Sequence, residues 1–472
     1  MLFIRQNSFA FITYILVVVL ILFNINNFFF WDTVQLGSAH ANYYLSTNFT
    51  QLLLPEDIDS GHIPAFGMYV ALIWKIFGKS LEISHLAMLP FAVGIVWQLT
   101  KICKKFVSQS YYGVAVVLII LDPTILSQIT LISPDIMLMF FFLLGVNAVI
   151  ENQKTLITIS TILLFLTSMR GMMVSLAIFF LDFYYIVSLK TNLVKLFQNL
   201  LKRTLIYSPA IILFTAFNIY HFLTKGWVGF HSNSPWAESF EQVDFKGFIF
   251  NLGILSWRIL DFGRIGVWLV LLFLFLSYKK QIKESKKSKI LFLFAMCIIV
   301  ILSANMVWAK NLLAHRYLIP FYIIVALLGT QILFSNFVKD IHKISLTILW
   351  IIFLISGNFW IYPTKIAQGW DSTLAHLPYY SLRLQTIKYL EEKNINFNDV
   401  QSFFPNTRTI DLIDLNKDNR NFNTFDGKGK YVIFSNVFNV NDEVYKNLIK
   451  SYIVIKEFRN NRVFILILQK RL

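Results

Sequence analysis

Cysteine is nearly absent: the 472-residue chain holds two, Cys103 and Cys297. Both fall at or within apolar runs, far apart and without ligand-like spacing, so they read as packing residues, not as a disulfide framework or a thiolate metal site. Charge is also scarce, at 14% against 56% hydrophobic residues, which excludes an ordinary water-soluble globule. No internal repeat and no low-complexity segment is present. There is no His pair at i, i+4 and hence no helical zinc motif. The first long apolar run lacks a small-residue cleavage site, so it is expected to remain as a span.

What fills the chain is a series of apolar runs near the length of a bilayer crossing, which implies a mainly α, polytopic membrane protein. Eleven spans are expected, near 8–30, 83–100, 107–122, 135–150, 155–169, 171–189, 204–223, 264–278, 290–308, 316–338 and 344–362. The formal charge of +16 would suggest a nucleic-acid partner if it lay on one face, but it sorts by side of the membrane. With the N-terminus in the cytoplasm, the inner segments hold 17 Lys or Arg against three acidic residues, and the outer ones before the tail hold nine against eleven. That asymmetry sets the orientation. It also makes Pro64 to Trp74, only eleven residues before Lys75, a juxtamembrane helix within a first outer loop at 31–82.

Residues 190–203 alternate basic and apolar positions at helical spacing, the pattern of an inner-surface amphipathic helix. The Lys279 to Lys289 cluster fits a topology-setting inner loop or an anionic-headgroup contact. Residues 1–362 thus form the membrane domain. From 363 to 472 the chain turns polar, with no run able to span, and predicts a small extracytoplasmic α/β domain. Its expected elements are a helix from Pro378 to Lys393, a strand from Tyr431 to Ser435, and two strands within Ser451 to Gln469 joined at Asn460-Asn461.

Ionisable residues near membrane depth gather on the outer side: Asp32, Asp122, Asp135, Arg170, Arg258, Asp261, Arg264, Lys310, His315 and Arg316. A carboxylate at the mouth of an apolar span is costly and points to function. Carboxylates facing a basic cluster suit a reaction with an anionic leaving group, although each residue taken singly could equally mark a helix end. Asp182, inside the sixth run, lies toward the inner end and apart from this group.

Trp31-Asp32 after the first span, Gly61-His62-Ile63-Pro64 leading to Phe77-Gly78, Ser133-Pro134-Asp135, and His315-Arg316-Tyr317-Leu318-Ile319-Pro320 together resemble the GT-C superfamily of membrane glycosyltransferases. The nearest likeness is to bacterial relatives of protein O-mannosyltransferases and lipid A aminoarabinose transferases, and it covers residues 1–340. Two motifs depart from the family's pattern: the His-Pro-Pro step reads His62-Ile63-Pro64, and the tyrosine pair comes only at Tyr43-Tyr44. The resemblance implies transfer of a sugar from a polyprenyl-phosphate donor to a lipid, glycan or protein acceptor at the outer face of a bacterial inner membrane. It assigns catalytic work to Asp32 and Asp135. Arg316, with Arg170 and Lys310 behind it, would hold the donor phosphate, and Arg suits that role through its planar fork of donors.

Tyr43, Asp59, His62 and His315 are acceptor or substrate contacts on this reading, with His315 equally readable as a packed interfacial residue. Asp32, Asp59, His62 and Asp135 are oxygen and nitrogen donors that could converge on a divalent cation, but nothing in their spacing demands one. Two other classes compete with a transferase. A lipid-linked substrate transporter or flippase would carry its charges near the midplane and show paired repeats. A non-catalytic scaffold would leave the acidic loop unexplained.

Overall fold

The computed structural model describes residues 2–188, 192–229, 231, 237–311, 314–363, 366, 368–438 and 440–471. It is mainly helical, and seven helices are long and apolar enough to cross a membrane: Leu81–Phe106, Met169–Val187, Leu193–Lys225, Arg264–Glu284, Lys286–Met306, His315–Leu333 and Asp340–Gly357. An eighth arises if Tyr112–Ile120 and Pro123–Ile129, bent by 75° at their junction, count as one crossing. Ser8–Phe23, Pro134–Ile150 and Lys154–Thr167 are apolar but shorter. Each of the eleven expected runs therefore carries a helix, and length separates them.

His315–Leu333 is the hub, 83% buried, whereas Asp340–Gly357 is 22% buried and lies outside. The outer helix is apolar on its exposed side. Ile341, Ile344, Ile348, Ile352 and Ile355 form one exposed stripe, while Leu346, Trp350 and Leu354 face inward. This exposed apolar stripe suits hydrocarbon surroundings, where no polar outer face is required.

The bend at Asp122 has a local cause. Pro123 cannot continue the preceding helix's hydrogen bonding, and Asp122 starts the next by accepting from the Thr124 and Ile125 amides at 2.9 and 3.4 Å. The same carboxylate takes two bonds of 2.7 Å from Arg264, a bidentate pair buried between helices. Arg264–Glu284 departs from helical geometry at Tyr278 (φ −132°, ψ 29°), where the expected span ends. The Tyr278 hydroxyl meets His342 Nδ1 at 2.8 Å there.

The separate surface helix expected at 190–203 is replaced, over the described residues, by one 33-residue helix, Leu193–Lys225, which runs on through the following span. Helix hydrogen bonds are local and continue through a change of surface polarity. Asp182 also finds its partners in this helix: its Oδ2 accepts from Arg203 Nε at 2.6 Å and from the Tyr207 hydroxyl at 2.9 Å. Arg203 donates onward to Asn152 at 2.8 Å, so an intramembrane charge is paired between neighbouring helices. Ala65–Phe77, at 13 residues, is short of a crossing.

The tail folds as a five-stranded mixed sheet of order β2-β1-β3-β5-β4. Its strands are β1 (Val400–Ser402), β2 (Asn423–Thr424), β3 (Tyr431–Ser435), β4 (Tyr452–Asn460) and β5 (Val463–Lys470), backed by the helix Pro378–Glu392. The apolar side chains of β5 alternate inward: Val463, Ile465 and Ile467 are fully buried. The sheet unit docks on the segment that follows the first helix, Leu2–Phe23. Phe28 packs edge-on against Tyr380 at 4.6 Å, Lys79 pairs with Asp411 at 2.6 Å, and Arg408 donates to Gln35 at 2.8 Å.

Candidate functional site

Asp32 is delivered by an unusual exit from the first helix. Phe28, Phe29 and Phe30 bury themselves and Thr33 hydrogen-bonds both the amide and the carbonyl of Phe30. Trp31 takes a left-handed φ of 52°, a conformation costly for a bulky residue and held by these neighbours. A π-helical turn, Val34–Ala39, follows.

Arg316 comes from the 3-10 turn His315–Leu318 that opens the hub helix. Its NH2 group donates to Asp32. Its Nε lies 3.2 Å from Asp371 and its NH1 3.9 Å from Asp135. Asp135 sits in the first turn of Pro134–Ile150, capped by Ser133, and also meets Arg170 at 2.5 Å. The Tyr317 ring faces both cations, 4.3 Å from the Arg170 guanidinium and 5.3 Å from that of Arg316. Three aspartates thus surround one buried arginine.

Asp371 was not foreseen from the sequence. It lies on the turn Trp370–Ser372, after the last apolar run, and reaches the site because the broken span grips its backbone. Ser127 and Gln128 both donate to the Asp371 carbonyl at 2.8 Å, and Thr124 donates to the Ser372 carbonyl at 3.1 Å. Trp370 Nε1 is held by the Asn436 carbonyl at 2.8 Å. Burial pushes the Asp371 carboxyl above its ordinary range, against the pull of Arg316 and with further push from Asp32. A signal was present: Trp370-Asp371 repeats Trp31-Asp32, and all four residues line one cavity.

That cavity has a volume of about 600 Å³, within the range of small-molecule sites. Of the residues singled out from sequence it gathers Asp32, Asp135, Arg170, Arg316, His62 and His315, with Arg258 from the helix Phe245–Leu260. His62 is held neutral, since burial and then Arg170 push its imidazole down to about 4. Three predicted residues do not line it. Tyr43 packs on Tyr44, ring centroids 5.5 Å apart. Lys310 pairs with Glu241 at 3.1 Å and is half exposed.

Asp59 serves as an anchor. It accepts from the Gly61 amide at 2.8 Å, from His221 at 3.1 Å and from Lys225, which fixes the loop ahead of His62 to the end of Leu193–Lys225. Gly61 is part of the same anchor, with φ +71° and a position where a Cβ would lie 1.8 Å from the Gly229 carbonyl oxygen. Gly61→Ala is expected to lower stability by at least about 1–2 kcal/mol, the left-handed cost alone. Thermal unfolding in detergent measures it, with Gly253→Ala, inside the helix Phe245–Leu260 and with nothing within 4 Å of its Cβ, as a control that should lose no stability and gain about 0.5–1 kcal/mol.

Among the described residues, no group of three or more His, Cys, Asp or Glu side chains is arranged to hold a metal ion. Asp32, Asp135 and Asp371 converge on a guanidinium, and Asp59 is committed elsewhere. The expected cation donors therefore do not form one ligand set. What the arrangement offers chemically is positive charge fixed by carboxylates inside a cavity of mixed polar and apolar lining. Comparison with family models, curated proteins and solved structures finds no match to this chain.

Proposed function

We propose that the protein is an integral membrane glycosyltransferase of the GT-C type, which transfers a sugar from a polyprenyl-phosphate donor to a lipid, glycan or protein acceptor at the outer face of a bacterial inner membrane. The reading takes all eleven helical runs as crossings, with the N-terminus in the cytoplasm and the tail outside. The short helices Pro134–Ile150 and Lys154–Thr167 end at Ser133 and Ser168, irregular backbone that is buried in protein, as membrane-depth backbone must be.

The observation that carries the proposal is the meeting of three arginines and three aspartates in one cavity at helix ends. Arg316, Arg170 and Arg258 suit a phosphate that gains charge as it leaves, because prearranged cations stabilise a developing anion without reorganising. Trp31, Tyr317 and Trp370 line the same cavity, and aromatic side chains there suit a sugar ring. Asp32 orients the acceptor hydroxyl, and Asp135 keeps that geometry by holding both Arg170 and Arg316.

The test is sugar transfer by purified protein in lipid nanodiscs, with labelled polyprenyl-phosphate sugars and a membrane extract as acceptor. Wild type is expected to label a product, and Asp32→Asn to lose at least about 100-fold of that rate. No turnover with any donor, together with lipid-phosphate binding indifferent to Asp32→Asn, would point to a carrier or scaffold instead.

A further inference from the structure

His315 is fully buried and lines the cavity, yet its Nδ1 has no hydrogen-bond partner. The other ring nitrogen is committed: Nε2 lies 2.8 Å from Asp261 Oδ2, a carboxylate acceptor, so Nε2 carries the proton. Nδ1 is therefore a bare lone pair. Asp261 is itself fixed, since its Oδ1 accepts from the Phe262 amide at 2.8 Å and from the Tyr362 hydroxyl. Burial raises the Asp261 carboxyl, but the bonds from His315, Tyr362 and Phe262 outweigh it and hold the group below its ordinary range. A carboxylate that orients one imidazole nitrogen and leaves the other without a proton or a partner, in a residue that lines a cavity, is the arrangement of a general base.

The backbone of Gly369 lies beside Nδ1. Gly369 also lines the cavity, at φ +63°, and a Cβ there would lie 2.9 Å from Nδ1. Any larger residue would press on the lone pair. Asp32, Asp135 and Asp371 each face a guanidinium, whereas the buried Nδ1 has no partner.

We infer that His315, oriented by Asp261, is the catalytic base that takes the proton of the acceptor. The assignment rests on the transferase reading above. As the acceptor oxygen forms its bond to the anomeric carbon, its proton passes to Nδ1. The bond from that carbon to the donor phosphate oxygen breaks, and the electron pair leaves with the lipid phosphate. The imidazolium that forms is countered by Asp261. Arg258, 3.5 Å from Nε2, opposes that positive charge until an anionic donor arrives. The base thus gains strength when donor is bound.

The experiment compares wild type, His315→Gln, His315→Ala, Asp261→Asn and Gly369→Ala in nanodiscs, and measures transfer and polyprenyl-phosphate affinity separately. His315→Gln is expected to lose about 100-fold or more in kcat with affinity kept within about twofold, as for loss of a general base. Free imidazole should restore transfer to His315→Ala. Asp261→Asn, a positioning change, should lower kcat without moving affinity, and Gly369→Ala should do the same by crowding Nδ1. Folded His315→Gln with kcat near wild type, or folded His315→Ala that imidazole cannot rescue, overturns the assignment. Should the His315 variants not fold, full activity in Gly369→Ala overturns it. A wild type that transfers no sugar from any donor removes the transferase reading, and the base with it.

Discussion

Arg316→Gln is expected to abolish sugar transfer and to lower the unfolding temperature in the same protein. The side chain is 8% exposed and bridges Asp32, Asp371 and Asp135, which come from three distant parts of the chain. Removing one partner of a buried ion cluster leaves the others uncompensated, a loss of about 3–5 kcal/mol where burial is complete. Asp32 is 21% exposed at its side chain, so water relieves part of that and the lower end applies. Arg316→Lys should recover some stability but little transfer, because an ammonium carries the charge without the planar fork that reaches three carboxylates. Unfolding and transfer assays on both variants decide it. Unchanged unfolding in Arg316→Gln would mean that the cluster does not hold the site together.

Deleting residues 364–472 is expected to do more than alter acceptor choice. The tail supplies Asp371 to the cavity and covers the aromatic cluster of Phe28 and Phe30, against which Tyr379 and Tyr380 pack. It also provides Asp411 to Lys79 and Arg408 to Gln35. Without it, a buried apolar surface and part of the charge balance are lost together, and an exposed patch of that kind favours aggregation. The expected result is poor recovery of monodisperse protein in detergent and no transfer. A truncated protein that elutes as one sharp species with full activity would show that the tail is an accessory.

The tail's longer strands were legible because runs of β-branched and aromatic residues bounded by turn residues write themselves directly into sequence. Tyr431 to Ser435 and the hairpin about Asn460-Asn461 appear where the pattern put them. The two-residue strand Asn423–Thr424 and the short Val400–Ser402 carry too few positions for a period to register. In the membrane region, apolar runs located the helices but could not measure them. Leu193–Lys225 overran its run because its Lys and Arg residues do not interrupt helical hydrogen bonding.

Within the site, Asp32, Asp135, Arg170 and Arg316 were legible as charges out of place at membrane depth. Asp371 was not, because a charge in a polar tail raises no such alarm. Asp59 drew notice as a substrate contact and a possible cation donor, and only its bonds to His221 and Lys225 reveal it as an anchor. His62 and His315 could be named from sequence, but which nitrogen is engaged depends on contacts that sequence does not hold.

The two Trp-Asp pairs have a consequence for synthesis. Asp32 is made 339 residues before Asp371 (371 − 32), yet both address one guanidinium. Membrane helices laid down in between keep the ends near each other, which lessens the entropy of closing so long a loop. The charge balance of the cavity is nevertheless incomplete until the segment after the last apolar helix has been translated and has met Ser127 and Gln128. A nascent chain halted after Asp340–Gly357 would carry the seven long apolar helices and still lack Asp371.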